Sequence, residues 1–406
     1  MGILLRCQRT LKVPAYNCRK MKRLRTTSSP RLLAIVAVLV AVVAGAGIAQ
    51  ASLNDTAKPA PKPLDRAILD AANAPPVDGV TARIKFTNNL LPSGSLPENT
   101  ASPTLTGADG RLWLANDGRL RLELQSSNGD AQIVADGKRF MLYDAASKTA
   151  FTGALPESKE RKSQSKPATL DGVRQGLAKL GELWTLSGAT PTTTANRPSY
   201  TVRIAPKDDG GLLGAAELAW DAARGVPLRA AVYAQGEREP VLEVEATEID
   251  YGPIAAGQID ATPPEGAKVT ELNPSTGVDA QGRPTHVTGL SAVQQRLPFQ
   301  ISAPEELAGL PRRSVSLIRV GEREGALLRY GDGLGQILVF QGTAEPGKKG
   351  AFDGVTLPQV NIDGATGQEL ATALGTLVTF ESGGVSYLVA GSVPPVAAEN
   401  AARGLK

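Results

Sequence analysis

The spacing of apolar residues changes period several times along the chain, and each change marks an element. Leu64, Ile68 and Ala71 in LDRAILDAANA stand at helical spacing, and Pro75-Pro76 stops the helix. From Val80 the period falls to two. VTARIKFT, RLWLAN, RLRLEL, AQIVAD and KRFMLYD alternate apolar with polar, and the turn signals Asn116-Asp117-Gly118, Ser127-Asn128-Gly129-Asp130 and Asp136-Gly137 divide them into an antiparallel meander. Asn88–Thr106, with Pro92, Gly94, Pro97 and Pro103, breaks the alternation and reads as a mobile insertion between the first two strands.

KPATLDGVRQGLAKLGELWTL returns to a helical period, with Leu170, Val173, Leu177, Leu180 and Trp184 on one stripe. Gly172, Gly176 and Gly181 each cost this helix about 1 kcal/mol relative to Ala, so docking must hold it. Strands resume in SYTVRIAP, LGAAELAWD, VPLRAAVYAQ and EPVLEVEATEIDYG. Nine or ten strands interrupted by one helix predict a single large sheet, which at that size curls into a barrel or half-barrel. Residues 64–270 therefore form a mainly β domain, a curved antiparallel sheet with a covering helix. Residues 271–296 are polar, bear Gly and Pro, and read as a linker. The tail, 297–406, reads as a small α+β domain: strands in RRSVSLIRV, GALLRYG and GQILVFQG, a short helix over Gln368–Leu374, the hairpin TLVTFES-GG-VSYLVAG, and a last amphipathic helix in VAAENAARGL.

The N-terminus follows neither pattern. Leu32–Ala49 is eighteen residues without a charge, the lower limit for a spanning helix. Residues 1–31 ahead of it carry nine Lys and Arg and no Asp or Glu, which keeps that end cytoplasmic and the bulk of the chain outside. Two fates remain open for residues 32–51. Ala49-Gln50-Ala51 has the small-x-small form of a signal peptidase site, giving a secreted or periplasmic protein, whereas the long basic leader favours a retained single-pass anchor in the cell membrane. Residues 52–63, rich in Pro and Ala, make an extended linker.

Charge now changes meaning. The whole chain is +4 with a pI of about 9.0, yet without the leader's nine cations 35 Lys and Arg face 40 Asp and Glu. A mildly acidic body with scattered cations excludes a nucleic-acid partner, which needs a clustered basic face. Cys7 and Cys18 both precede the apolar run, so the exported part has neither a disulfide nor thiolate chemistry. His286 sits in the polar linker, where it reads as an exposed loop residue. Gly331-Asp332-Gly333-Leu334-Gly335 lacks the Lys and helix of a phosphate loop and reads as a hairpin turn, as does Asp208-Asp209 before Gly210-Gly211. No catalytic set, metal site or cofactor site assembles, so the chain is read as non-enzymatic.

The alternation itself offers a site. Leu120, Leu122 and Leu124 share one face of their strand, and Leu142, Val202, Ile204, Leu218, Trp220, Leu228, Val232, Leu242 and Val244 hold matching positions. A curved sheet gathers them on its concave side, filled either by core side chains or by a ligand. Aromatics are only 4% of the chain and the covering helix is weakened by glycine, which favours a lidded apolar cavity with Leu170, Val173, Leu177, Leu180 and Trp184 as the lid.

GRLWLANDGRLRLEL and AQIVADGKRFMLYDAASKTAF, followed by RPSYTVRIAP, AELAWDAARGVPLRAAVYAQG and VEATEIDYGPIAAGQIDATPPEGAKV, resemble the LolA-type lipoprotein carriers over about 64–270. LLRYGDGLGQILVFQG and VSYLVAGSVPPVAAENAARGL resemble the C-terminal module of RseB/MucB-type sigma-E regulators, which join a LolA-like domain to such a module. The resemblance departs at Asn116-Asp117, where the carriers place the Arg-Pro of a lid latch. It implies a half-open β-barrel that binds the acyl chains of a lipid or lipoprotein, and a second domain that meets an anti-sigma factor or other membrane protein. The expected function is a membrane-tethered envelope sensor or regulator of sigma-factor signalling. The alternatives are a carrier shuttling lipoproteins or lipids, and a structural surface protein with a filled core.

Overall fold

The computed structural model describes residues 58–91, 102–127, 129–155, 167–207, 211–271, 287–320, 323–344 and 357–405. The basic leader with both cysteines, Leu32–Ala49, Ala51, Asp208-Asp209 and His286 lie outside them. Among the described residues no helix is long and apolar enough to cross a membrane.

The alternating segments fold as strands: β1 Gly79–Asn88, β2 Ala108–Ala115, β3 Leu120–Ser126, β4 Gly129–Ala135, β5 Arg139–Asp144, β6 Thr149–Ala154, β7 Trp184–Leu186, β8 Thr190–Thr194, β9 Arg197–Pro206, β10 Leu213–Asp221, β11 Pro227–Ala234, β12 Leu242–Tyr251 and β13 Lys268–Glu271. They form one strongly curled half-barrel sheet in the order β13-β6-β5-β4-β3-β2-β1-β12-β11-β10-β9-β7, with β8 paired to β9. Every pairing is antiparallel except β13 on β6. The thirteen strands exceed the nine or ten expected because β6, β8 and β13 show no alternation of large apolar with polar residues in the sequence and β7 is only three residues long.

Among the described residues five α-helices accompany the sheets: α1 Leu64–Ala72, α2 Pro103–Thr106, α3 Leu170–Leu180, α4 Leu290–Gln294 and α5 Pro395–Arg403. The second sheet contains β14 Glu306–Leu307, β15 Leu310–Val320, β16 Arg323–Tyr330, β17 Ile337–Thr343, β18 Gln359–Ile362, β19 Ala365–Thr372, β20 Gly375–Ser382 and β21 Val385–Gly391, in the order β14-β15-β16-β17-β21-β20-β19-β18. Its core of Leu328, Tyr330, Ile337, Val339, Val378 and Val389 is fully buried beneath Ala398, Ala401 and Ala402 of α5.

Four expectations change. Gln368–Leu374 is not a helix: Ala365–Thr372 is strand β19, and its ladder to β20 overrides the local helical preference of QELATAL. Trp184 does not continue the second helix, which ends at Leu180 with Gly181 as its cap; Trp184 opens β7 and pairs with Pro206. The segment read as a linker contributes Val293, 0% exposed, to the second core. Of the insertion Asn88–Thr106, residues 92–101 lie outside the described residues, while Asn88 ends β1 and Pro103 is buried in α2, so its two ends belong to elements.

The two sheets touch through backbone. Leu212 N donates to Ser392 O at 3.2 Å and to its Oγ at 3.0 Å, and Ala373 N donates to Leu90 O at 2.9 Å.

Candidate functional site

Residues directly opposite one another in an antiparallel sheet share a face, so the register assigns every candidate position. One row runs Leu142, Ile133, Leu122, Leu112, Ala82, Ile249 across β5, β4, β3, β2, β1 and β12. A second runs Val244, Ala230, Leu218, Val202 across β12, β11, β10 and β9, and a third runs Leu242, Val232, Ala216, Ile204 beside it. Leu120 and Leu124 sit two residues either side of Leu122, Leu228 two before Ala230, and Trp220 opposite Tyr200. All twelve candidates therefore share one face of the sheet.

Their burial is uneven. Leu124, Val202, Trp220 and Leu228 are buried, whereas Leu142 is 36% exposed and Val244 38%. Leu120, Leu122, Ile204, Leu218, Val232 and Leu242 are half-buried. Phe151 of β6, opposite Leu142, adds another apolar side chain at 36% exposure. Sequence reading missed it because TAFTGA carries one large apolar side chain and shows no clear alternation.

The cover differs from the expectation. Helix α1 lies on this face, placing Ala67 among Tyr200, Val202 and Trp220. Helix α3 packs chiefly on α1. Its stripe Leu170, Val173, Leu177 and Leu180 is half-buried, the rest of the helix is exposed, and no residue of it is buried. The stripe was legible; its partner was not. Arg174 of α3 reaches Asp65 of α1 at 2.8 Å, and Asn73 exchanges two hydrogen bonds with Ala168. Asp65, held by the Arg174 hydrogen bond, titrates below the ordinary carboxylate range.

The turn at Asp221 sets the position of α1. Asp221 Oδ1 accepts from Ala223 N at 2.8 Å and Arg224 N at 2.9 Å, while Oδ2 accepts from the Tyr251 hydroxyl at 2.7 Å. Burial and the Asp221 charge both push the Tyr251 hydroxyl far above its usual pKa. Gly225 closes the turn at φ +68°, and a Cβ there would lie 2.4 Å from Ala71 O at the end of α1. Only glycine permits that conformation and that approach.

On β2, β4, β5 and β6 the opposite face is itself apolar, burying Val134, Met141 and Ala150 against Ile259 and Ala261, and on β9 to β12 it is charged. Arg229 bonds Glu243 at 2.6 Å and Glu217 at 2.8 Å, Arg203 meets Glu217 at 2.8 Å, and the Tyr233 hydroxyl donates to Glu217 at 2.8 Å. Burial raises the Glu217 pKa, but the bonds from Arg229, Arg203 and Tyr233 outweigh it and hold the carboxyl below its usual value. A cleft of about 390 Å³ adjoins this ladder at Lys85, Arg229, Arg238 and Glu243, and another of about 340 Å³ lies between Lys85 and Asp109; none of the twelve apolar candidates lines either. Among the described residues no group of His, Cys, Asp and Glu stands close enough to hold a metal ion.

No family model and no curated protein match the sequence. Solved structures do. The Pseudomonas aeruginosa MucA/MucB complex is 16% identical with a TM-score of 0.40, covering 83% of this chain and 94% of that one. MucB alone is 17% identical at 0.38, covering 84% and 96%. The LolA superfamily protein NE2245 from Nitrosomonas europaea is 9% identical at 0.19, covering 49% of this chain and 98% of that one. These are likenesses of fold alone, and a curled antiparallel half-barrel followed by a second domain is the architecture that the sequence resemblance implied.

Proposed function

We propose that this chain is a non-enzymatic, extracytoplasmic lipid- or lipoprotein-binding protein whose curled sheet holds acyl chains on its apolar face. The observation that carries the reading is the placement of twelve apolar positions on one face with Leu142, Phe151 and Val244 left more than a third exposed. A filled core would have buried them. An acyl chain gains about 0.8 kcal/mol per buried CH₂, so useful affinity needs no polar motif.

The second domain, on its resemblance to the sigma-E regulators, contacts an anti-sigma factor or another membrane protein, and lipid occupancy of the first domain changes the surface it offers. MucB has been solved in complex with MucA(peri), which makes an anti-sigma factor the first partner to test. Native mass spectrometry of the protein purified from its own cells tests the reading: co-purified lipid supports it, and repeated recovery of stable, lipid-free protein overturns it. Mapping the mature N-terminus in the same preparation separates the roles, since an intact Leu32–Ala49 fits a tethered sensor and a cut after Ala51 fits a shuttle.

A further inference from the structure

Trp220 is 5% exposed on the apolar face, and its indole Nε1–H has no hydrogen-bond partner among the described residues. Indole is a donor without acceptor capacity, and a buried Trp normally finds a partner for it. The side chains packed around it, Ala67, Ala189, Val202 and Leu218, offer no acceptor. Tyr200, whose ring centroid is 6.1 Å away, directs its hydroxyl to Ala60 O at 2.6 Å. The other buried side-chain atoms left unpaired among the described residues belong to Thr152, on the opposite face of the sheet, and to Arg329, Tyr330 and Glu369 of the second sheet. Trp220 is thus a stored donor in otherwise apolar surroundings.

We infer that the ligand of this face presents a hydrogen-bond acceptor, the ester or amide carbonyl of an acylated glycerol or amine, to Trp220 Nε1. The inference rests on the reading of the face as acyl-binding and narrows it to a ligand class: chains that carry a carbonyl, not hydrocarbon alone. Helix α1 covers the indole and must shift to admit the carbonyl. Ala67 is the one fully buried residue of α1, and of its ion pairs Lys62–Asp70 is half exposed, so its movement must give up chiefly the Asp65–Arg174 pair and the approach of Ala71 to Gly225.

The test compares 1,2-dioctanoylglycerol with its 1,2-dioctyl ether counterpart, each displacing cis-parinaric acid from the full chain. The ester should bind about tenfold more tightly, about 1.4 kcal/mol. Replacing Trp220 by benzothienylalanine, which keeps the ring and removes the N–H, should abolish the preference of the chain for ester over ether. The indole ¹⁵N–H resonance of Trp220 should move on adding ester and stay in place on adding ether, a readout that needs no variant. Equal binding of ester and ether by the native chain, as when a buried water satisfies the indole, overturns the inference alone. So does a preference that survives the replacement. Binding of neither glycerolipid nor cis-parinaric acid removes the acyl-binding reading and the inference with it.

Discussion

Replacing Leu142, Phe151 and Val244 together by Thr should weaken acyl binding with little change in fold. These residues are 36%, 36% and 38% exposed, and they sit on β5, β6 and β12 of the same apolar face. Fully burying a Leu, Phe or Val is worth about 1.5–3 kcal/mol, so covering the remaining third gains about 0.5–1 kcal/mol at each position. Three such losses total about 1.5–3 kcal/mol, a rise in Kd of about 10- to 150-fold. Thr keeps the β-branched preference for strand, which limits the cost to the sheet itself. The assay is displacement of cis-parinaric acid, with thermal melting as the check on folding. Leu338→Thr is the control, since Leu338 is equally exposed at 36% but lies on the second sheet. If the triple variant binds like the native chain, or if Leu338→Thr weakens binding as much, the apolar face is not the site.

Gly225→Ala should lower stability by at least about 1–2 kcal/mol, the cost of a left-handed L-residue, with the 2.4 Å approach to Ala71 O adding to it; chemical denaturation measures the loss. Tyr251→Phe removes one of three donors to buried Asp221 and should cost about 1.5–3 kcal/mol by the same method, and a change under 0.5 kcal/mol would show that water replaces the hydroxyl. Glu217 titrates below the 4.5 of a free glutamate, so its ion pairs stabilise the fold above that value and the contribution is lost as pH falls through the lower folded value. Acid unfolding of Glu217→Gln should accordingly depend less steeply on pH below 4.5 than that of the native chain, and parallel curves would refute the assignment. Gln341, 0% exposed, accepts from Ser302 N at 2.9 Å and donates to Ser302 O at 2.6 Å; Gln341→Leu should destabilise by about 1–3 kcal/mol by leaving both backbone groups unpaired, read from the thermal melt.

How much was legible follows from the range of the interactions involved. Period-two alternation is local, so β1 to β5, β9 to β12 and the apolar face they share could be read from RLRLEL and its neighbours. The pairing of β1 with β12, from Val80 opposite Tyr251 to Asn88 opposite Leu242, joins residues far apart in sequence and leaves no local trace. The same limit explains the cover. The stripe Leu170, Val173, Leu177, Leu180 identifies an inward side of α3, but not that α1 lies beneath it. The small contact residue Ala67 carries too little hydrophobic signal to single out α1 as the helix on the sheet. Gln368–Leu374 failed for the opposite reason: its local preference is clear, and its strand partners Gly375–Ser382 outweigh it.

The extent of that cover bears on whether the apolar face is a filled core. Helix α1, nine residues long, measures about 14 Å at 1.5 Å per residue, and it contacts β9 and β10 through Tyr200, Val202 and Trp220. Leu142 on β5 stands seven strand steps from β10 in the sheet order, about 34 Å along the sheet at the usual interstrand spacing of about 4.8 Å. Along the sheet α1 does not extend to it, and the second helix on the sheet, α2, contacts β1, β3 and β4. Curling brings the two wings of the sheet toward each other, but direct contact between them would bury Leu142 and Phe151, and both remain 36% exposed. The second sheet, built from the same residue types, buries Leu328, Val339, Val378 and Val389 to 0%. On the same face Ala82, Ile84, Leu124, Leu228 and Ile249 are buried, so the open part is confined to the surroundings of Leu142, Phe151 and Val244, and that is where the proposed ligand has room.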